Sequence, residues 1–259
     1  MVEKLKVVSQ GQGRDLVLIH GWAMHSGIWG GVVDALATGF RVHLVDLPGH
    51  GFNRDVPLSR QLDELAGQIL SEVPPAAWLG WSLGGLVALA AAGALPQKVE
   101  KLLLVGATPS FSRQENWEWG LGASARQAFS EGLEQDFEAT VSQFSLQTFG
   151  AVHLQESLRR LGEPPVTDHL PSLETLHDGL HLLYHNNLLP VLHDITMPTL
   201  FLGGSRDRTI LPESFGQAAS LMPNAEVNII RGAGHAPFIS HEEKFLEIVN
   251  GFLAEGQVT

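Results

Sequence analysis

Short runs of consecutive apolar residues recur through the first half of the chain. Such runs, without strict alternation of polar and apolar positions, are typical of strands buried on both faces of a parallel sheet. Segments rich in helix-forming residues separate the runs. Strands that alternate with helices predict βαβ units with right-handed crossovers. The predicted strands are 16–19, 41–45, 77–79 and 101–105, the predicted helices are 28–37, 61–71 and 83–94, and residues 1–10 predict one further strand.

The pattern changes after residue 110. Between residues 111 and 190 we find no convincing strand, and the α/β rhythm then returns to the end of the chain. The helix-like segments are 126–146, 152–161 and 173–184, with breaks at Gly150, 162–165 and Pro171, and the later elements are strands at 199–202 and 227–230 and a helix at 242–253.

This order predicts an α/β fold with a mostly parallel sheet flanked by helices. Residues 1–110 and 191–259 would form the core, and residues 111–190 an inserted helical cap. Folds of this class bind ligands at the carboxyl edge of the sheet, where we expect the cap to lie. The alternative is a helical subdomain that only stabilises the core.

The pentapeptide Gly80-Trp81-Ser82-Leu83-Gly84 lies where a predicted strand gives way to a predicted helix. In a G-x-S-x-G turn the glycines let the backbone take a strained path, which exposes the serine hydroxyl at the start of the helix. Ser82 is therefore the candidate nucleophile. A glycine-rich turn with a capping serine is the alternative, which the matching flanks disfavour.

A serine hydroxyl needs a general base to remove its proton, and the base needs an acid to orient it. Asp207 and His235 each follow a predicted strand, in loops that contain glycines. A single aspartate or histidine in a loop is usually a turn residue or functionally silent. Because all three residues occur at strand ends in the order Ser82, Asp207, His235, we predict a catalytic triad.

Two backbone N–H groups are needed to bind the oxygen of a tetrahedral intermediate. We expect one from Leu83, which follows the nucleophile, and the other from Trp22, in the loop after the strand at 16–19. The indole of Trp22 would cover the acyl site. We interpret His20, two residues earlier, as a buried residue that shapes this loop rather than as a proton carrier.

Composition narrows the possible partners. Among 259 residues the net charge is −12, which disfavours nucleic acid and anionic membranes as partners. The chain contains no cysteine, which excludes disulfides, thiolate ligands and cysteine nucleophiles. No segment approaches the roughly 20 apolar residues of a membrane span, and we expect a cytoplasmic protein. His181 and His185 have helical spacing without a third ligand, so we expect neither a metal site nor a cofactor.

These motifs, together with His20-Gly21-Trp22 and Asp46-Leu47-Pro48-Gly49-His50-Gly51, resemble those of the α/β-hydrolase family. Within that family the chain is similar to the carboxylesterases of biotin synthesis, which remove the methyl ester from pimeloyl-acyl-carrier protein. The similarity covers nearly the whole chain and rests on residues 79–88, 146–148 and 235–241.

The resemblance implies a serine carboxylesterase, and we expect the protein to be a monomer. Its substrate would be a small acyl ester presented on acyl-carrier protein, and Ser82 would carry the acyl group. The implied substrate contacts are Trp22, Ser82, Leu83, Gln143, Phe144, Ser145, Leu146, Gln147 and His235.

The charge of the cap departs from the resemblance, which implies a basic cap facing an acidic carrier. Residues 111–190 contain four arginines, no lysine and eleven acidic residues, although Arg159 and Arg160 could form a local basic spot. Electrostatic steering of an acidic partner would be weak on such a face. Two alternatives therefore stay open: a hydrolase of another ester, a lactone or a carbon–carbon bond, and a binding protein without catalysis.

Overall fold

Seven strands form one sheet in the computed structural model, which describes residues 4–161 and 170–255. The order across the sheet is β1-β3-β2-β4-β5-β6-β7, and β1 is antiparallel to β3 whereas the other neighbours are parallel. The strands are β1 (Val7–Gln10), β2 (Arg14–Ile19), β3 (Phe40–Val45), β4 (Ala76–Trp81), β5 (Val99–Val105), β6 (Thr199–Gly204) and β7 (Ala225–Ile230).

Helices cover both faces of the sheet, and three further helices form most of the described segment between β5 and β6. They are α1 (Gly31–Ala37), α2 (Leu62–Glu72), α3 (Leu83–Ala94), α4 (Ala123–Gln135), α5 (Phe137–Leu161), α6 (Leu173–His185), α7 (Glu213–Ser220), α8 (Pro237–Ser240) and α9 (Glu242–Ala254). Short 3-10 helices lie at Ser26–Trp29, Gly51–Asn53, Pro96–Lys98 and Leu189–Asp194.

The continuous apolar strands are explained by burial on two faces. In β2, Val17 and Ile19 pack into one hydrophobic cluster, whereas Leu16 and Leu18 pack into the other. Because successive side chains of a strand point to opposite faces, a strand covered on both faces needs apolar residues at every position. The sequence-based prediction of an α/β fold with a mostly parallel sheet is therefore confirmed.

The predicted elements agree with the structure except at the ends and in the cap. The helix at 83–94 is found with the predicted bounds, and every predicted strand is present, most of them longer by one to three residues. The prediction of one helix at 126–146 is wrong, because Asp136 separates α4 from α5 and its side chain accepts a hydrogen bond from the Ala139 amide at 3.0 Å. This is the side-chain capping that begins a new helix.

The remaining differences involve glycine and short helices. The predicted break at Gly150 is a kink inside α5, where this residue has φ 71°. The sequence analysis missed α7 and the four-residue α8. The predicted break at 162–165 lies outside the described residues.

Helices α4 to α6 lie between β5 and β6 in the chain, within residues 111–190, which we call the cap. Two ion pairs join the cap to the rest of the protein: Arg60 to Asp178 at 2.5 Å and Arg160 to Glu242 at 3.0 Å. Within the described part of the cap, β-structure is limited to isolated bridges near its start. The division of the chain at residues 110 and 190 into core and cap domains stays a prediction.

The turn from β4 to α3 is packed so closely that it requires glycine. A Cβ atom on Gly80 would lie 2.3 Å from the Gly84 carbonyl oxygen, and one on Gly84 would lie 2.3 Å from the Ile19 carbonyl oxygen. Both obstacles are backbone atoms, which no side-chain rotation can move. The helix therefore starts directly against β2 and β4.

We expect Gly84→Ala to lower the free energy of unfolding by about 3 kcal/mol, because the added methyl group must displace the backbone of β2. Gly93→Ala is the matched control in the same helix, since the nearest atom to its added Cβ is a Val191 methyl carbon at 3.7 Å. That control should be neutral or stabilising by up to about 1 kcal/mol. Urea unfolding of both variants measures the difference, and equal effects would contradict this account of the turn.

Candidate active site

Ser82 lies at the tight turn between β4 and α3 with φ 54° and ψ −116°. Apart from Ala23, it is the only described non-glycine residue with positive φ. Its amide donates to the Val105 carbonyl at 2.9 Å, which ties the turn to the end of β5. A residue held in such a strained conformation by its surroundings is typical of a nucleophile at a strand-to-helix turn.

His235 and Asp207 are brought together by the loops after β7 and β6. The His235 Nδ1 atom lies 2.8 Å from Asp207 Oδ2, and both residues are buried. The other carboxylate oxygen, Oδ1, accepts from the amides of Thr209 at 2.8 Å and Ile210 at 2.9 Å. Asp207 therefore orients the imidazole with one oxygen and fixes its own loop with the other.

Two residues that the sequence analysis did not assign hold His235 in place. The indole N–H of Trp81 donates to the His235 carbonyl at 2.9 Å, and the two rings lie 5.6 Å apart. Gly106 has φ 51°, and a Cβ there would lie 3.0 Å from two atoms of the imidazole. Because Trp81 directly precedes Ser82, one side chain joins the Ser82 turn to the loop that carries His235.

The Nε2 atom of His235 is buried and has no hydrogen-bond partner within residues 4–161 and 170–255. Since Nδ1 is bonded to Asp207, Nε2 is the nitrogen left to act on another group. In free enzymes the bond between serine and histidine is often long or poorly aligned. The arrangement thus leaves one acceptor nitrogen of the imidazole open in the interior.

The amides of Trp22 and Leu83 donate to no acceptor in the described chain. Leu83 is the first residue of α3, so its N–H has no partner inside the helix. Trp22 is positioned by its side chain, whose indole N–H donates to the Leu176 carbonyl of the cap at 2.9 Å. Both predicted oxyanion donors are therefore free to bind another group.

A cavity of about 220 Å³ contains Ser82 and Trp22. Most of its wall is apolar and comes from the cap, where Phe144 and Phe129 meet the Trp22 ring at centroid distances of 5.1 and 5.4 Å. Sequence reasoning did not assign most of this wall, although helical spacing was a usable signal. The unassigned lining residues are Phe111, Leu121, Ala125, Phe129, Leu180, Leu183, Tyr184, Arg208 and Thr209.

The five cap residues expected to contact substrate diverge within α5. Phe144 and Gln147 line the cavity with Ser82. Gln143, Leu146 and again Gln147 line a second cleft, and Ser145 is buried and lines neither space. We call this second space, of about 570 Å³, the side cleft. Its polar lining residues are Gln143, Gln147, Thr148, His153, Arg206, Arg208, Ser240 and His241. Substrate contact by these residues stays a prediction.

His20 shapes the Trp22 loop, as expected. Its Nδ1 donates to the Gly21 carbonyl at 2.8 Å, and its Nε2 accepts from the Leu47 amide at 2.9 Å. Complete burial lowers the pKa of His20 to about 3. The pKa of His50 is also lowered to about 3, first by its own complete burial and then by the neighbouring His20 imidazole. Both imidazoles are therefore neutral near pH 7 and serve as fixed hydrogen-bonding groups.

Among the described residues, no group of three or more histidine, cysteine, aspartate or glutamate side chains could hold a metal ion. Within the same residues, no helix has the length and apolar character needed to cross a membrane.

Comparison with known proteins identifies the class. The sequence profile described as the alpha/beta hydrolase family matches residues 16–248. The chain therefore belongs to the α/β-hydrolase family. In structure it is similar to a hydrolase from Oleispira antarctica (TM-score 0.86, 16% identity, 98% of this chain and 96% of that one). It is also similar to an esterase from Rhodococcus sp. ECU1013 (TM-score 0.78, 27% identity, 96% and 94%).

The sequence comparison is more specific. The chain is 42% identical over 247 residues to the pimeloyl-[acyl-carrier protein] methyl ester esterase of Xylella fastidiosa strain M12, which covers 94% of this chain and 96% of that protein. It is 40% identical over 245 residues to the protein of the same name from Stenotrophomonas maltophilia strain K279a, with 94% of each chain covered.

We expect Trp81→Phe to slow labelling of Ser82 by a fluorophosphonate probe about tenfold, because a small displacement of His235 misaligns it with the serine hydroxyl. Trp78→Phe is the matched control: it is buried in the same strand, and its indole N–H has no partner among the described residues. Labelling rates and urea unfolding of both variants separate the two effects. Equal labelling rates in the two variants would show that the Trp81 bond does not position His235.

Proposed function

We propose that this protein is a serine carboxylesterase that hydrolyses a methyl ester, with pimeloyl-[acyl-carrier protein] methyl ester as its substrate in biotin synthesis. The observation that carries the proposal is the buried pair of His235 and Asp207, in which one imidazole nitrogen is oriented and the other is open. The strained turn at Ser82 supports it, because this turn places a hydroxyl at the start of α3, in the wall of the cavity.

In the first half of the reaction, neutral His235 accepts the proton of the Ser82 hydroxyl through Nε2. The serine oxygen attacks the ester carbonyl and forms a tetrahedral intermediate. Asp207 stabilises the imidazolium that results, since its Oδ2 atom accepts a hydrogen bond from the Nδ1–H group and the carboxylate stays ionised. The imidazolium then gives its proton to the methoxy oxygen, and methanol leaves.

In the second half, His235 removes a proton from water, and the hydroxide attacks the acyl-enzyme. The second tetrahedral intermediate breaks down as the imidazolium gives its proton to the serine oxygen, which releases the free carboxylic acid and regenerates Ser82. In both halves the negative oxygen needs donors that are already in place. The free amides of Trp22 and Leu83 suit this role, because their other contacts keep them fixed and no described acceptor competes.

The choice of substrate rests on the cavity and on the relatives. The wall around Ser82 is largely apolar, which suits an aliphatic acyl chain. Relatives at 40–42% identity over nearly the whole chain are named as esterases of pimeloyl-[acyl-carrier protein] methyl ester. We further propose that the enzyme acts in the cytoplasm as a monomer, since one chain supplies all three triad residues.

We expect Ser82→Ala to reduce release of methanol from the carrier-bound methyl ester by roughly 10⁴-fold or more, because the nucleophile is lost. Ser214→Ala is the matched control: its hydroxyl is also buried, and it has no partner among the described residues. Methanol release by purified protein measures both variants. An unchanged rate in Ser82→Ala would contradict the mechanism.

A substrate panel extends this test to the alternatives. Faster turnover of a lactone or an unrelated ester than of the carrier-bound methyl ester would favour a different hydrolase. Failure of a fluorophosphonate probe to label Ser82 in folded wild-type protein would favour a binding protein without catalysis.

We expect Asp207→Asn to lower kcat by roughly 10³ to 10⁴-fold with little loss of stability. The amide oxygen can keep the bonds from Thr209 and Ile210, whereas the amide nitrogen donates to His235 and imposes the wrong tautomer. Asp207→Ala removes both sets of bonds and should also lower the free energy of unfolding by about 1–3 kcal/mol. Steady-state kinetics with urea unfolding compares the variants, and near-wild-type kcat in Asp207→Asn would refute the orienting role.

A further inference from the structure

The arginine side chains at the end of α5 form ion pairs with acidic residues of the same protein. Arg159 and Arg160 both bond to Glu156, and these two bonds lower the pKa of the Glu156 carboxyl to about 2. Arg160 also reaches Glu242 at 3.0 Å. The basic spot expected at Arg159 and Arg160 is therefore largely neutralised by its own neighbours.

The side cleft contains a different pair of cations. Arg206 and Arg208 are both exposed, and their guanidinium groups form no hydrogen bond or ion pair with a described residue. They lie on either side of Asp207, whose carboxylate is buried against His235. The acid of the triad thus faces inward, while its two basic neighbours face the cleft.

The loop that carries these arginines is firmly attached. The Arg206 amide donates to the Ala233 carbonyl at 2.8 Å, and the Ser205 amide donates to the Ile230 carbonyl at 3.0 Å. The Ser205 hydroxyl in turn accepts from the Gly232 amide at 2.9 Å. The backbone beneath the cationic side chains is therefore fixed before any ligand arrives.

The lining of the side cleft has one sign of charge. Its charged residues are Arg206 and Arg208, and none of its described lining residues is aspartate or glutamate. This is unusual in a chain with 28 acidic residues, 16 lysines and arginines and a net charge of −12. A concave site of one sign concentrates ligands of the opposite sign.

The side cleft adjoins the cavity that holds Ser82. Gln147 and Arg208 line both spaces, so the two meet at these side chains. A long, narrow substrate could therefore place its ester at Ser82 and an anionic group farther along in the cleft. The ligand expected there is a slender anion rather than a folded surface.

We infer that the side cleft binds the phosphate of the phosphopantetheine arm that joins the acyl chain to its carrier, through Arg206 and Arg208; this inference rests on the proposed function. The phosphate is the charged group of that arm, and guanidinium groups bind phosphate oxygens through paired N–H donors. Recognition thereby comes from the loop of the triad acid and does not need a basic cap.

The test uses two synthetic thioesters of monomethyl pimelate, one on pantetheine and one on 4′-phosphopantetheine, which differ only in the phosphate. We expect wild-type kcat/KM for methyl ester hydrolysis to be about tenfold higher with the phosphate, from two charge-assisted contacts at an exposed site. The preference should shrink as ionic strength rises. The double variant Arg206→Gln/Arg208→Gln should reduce it to less than about twofold.

Single variants and a matched control locate the effect. Arg206→Gln isolates the cleft, since Arg206 does not line the cavity with Ser82. Arg41→Gln removes the same charge from an exposed arginine at the start of β3, which is separated from β6 by β2, β4 and β5, and should keep the wild-type preference. Ser82→Ala should abolish hydrolysis of the methyl ester in both thioesters.

The outcomes separate this inference from the proposed function. If the wild-type protein hydrolyses the methyl ester of neither thioester, nor that of the carrier-bound substrate, the proposed function is wrong. If it hydrolyses the methyl esters of both thioesters equally well, or if the double variant keeps the tenfold preference, phosphate binding in the side cleft is refuted. The esterase function then stands.

Discussion

The strained backbone of Ser82 is maintained only because the surrounding sheet leaves it no alternative. Its amide is bonded to the end of β5, while Gly80 and Gly84 bring α3 against the neighbouring strands without room for a methyl group. Backbone strain of this kind persists when packing over-determines the conformation. The sheet thus holds the proposed nucleophile in the conformation that it needs, and the loops after β6 and β7 place Asp207 and His235 beside it.

Opposite charges are separated within one short loop, at residues 206–208. The Asp207 carboxylate is buried and satisfied by His235 and two amides, whereas Arg206 and Arg208 extend into solvent from the same loop. The arginines at the end of α5 are joined to Glu156 and Glu242 and help attach the cap. An acidic protein can therefore present a local positive site where it needs one, since interactions at short range outweigh the screened net charge.

The sequence predicted the parts of the molecule that depend on local patterns. Strands buried on two faces, the turn at Ser82 and the loops of Asp207 and His235 all carry signals within a few residues. The break at Asp136 was missed because a capping aspartate inside a helical pattern resembles a surface residue. The bond from Trp81 to His235 spans 154 positions, and the closeness of Gly106 to the imidazole also depends on the assembled sheet. Contacts of this kind have no signature in one sequence.

Helix α5 forms a partition between two chambers of different character. Phe144 faces the apolar cavity, Gln143 faces the side cleft, and Gln147 borders both. A change on this partition alters the shape of both chambers at once, because a helix moves as a unit. If the cavity holds the acyl chain and the side cleft holds the arm of its carrier, as we propose, selectivity for the two is coupled along α5. The loop at 205–208 also borders both chambers, because Arg208 lines the cavity with Ser82, whereas Arg206 lines only the side cleft. A change at Arg206 can therefore alter the charge of the cleft while the wall of the cavity is preserved.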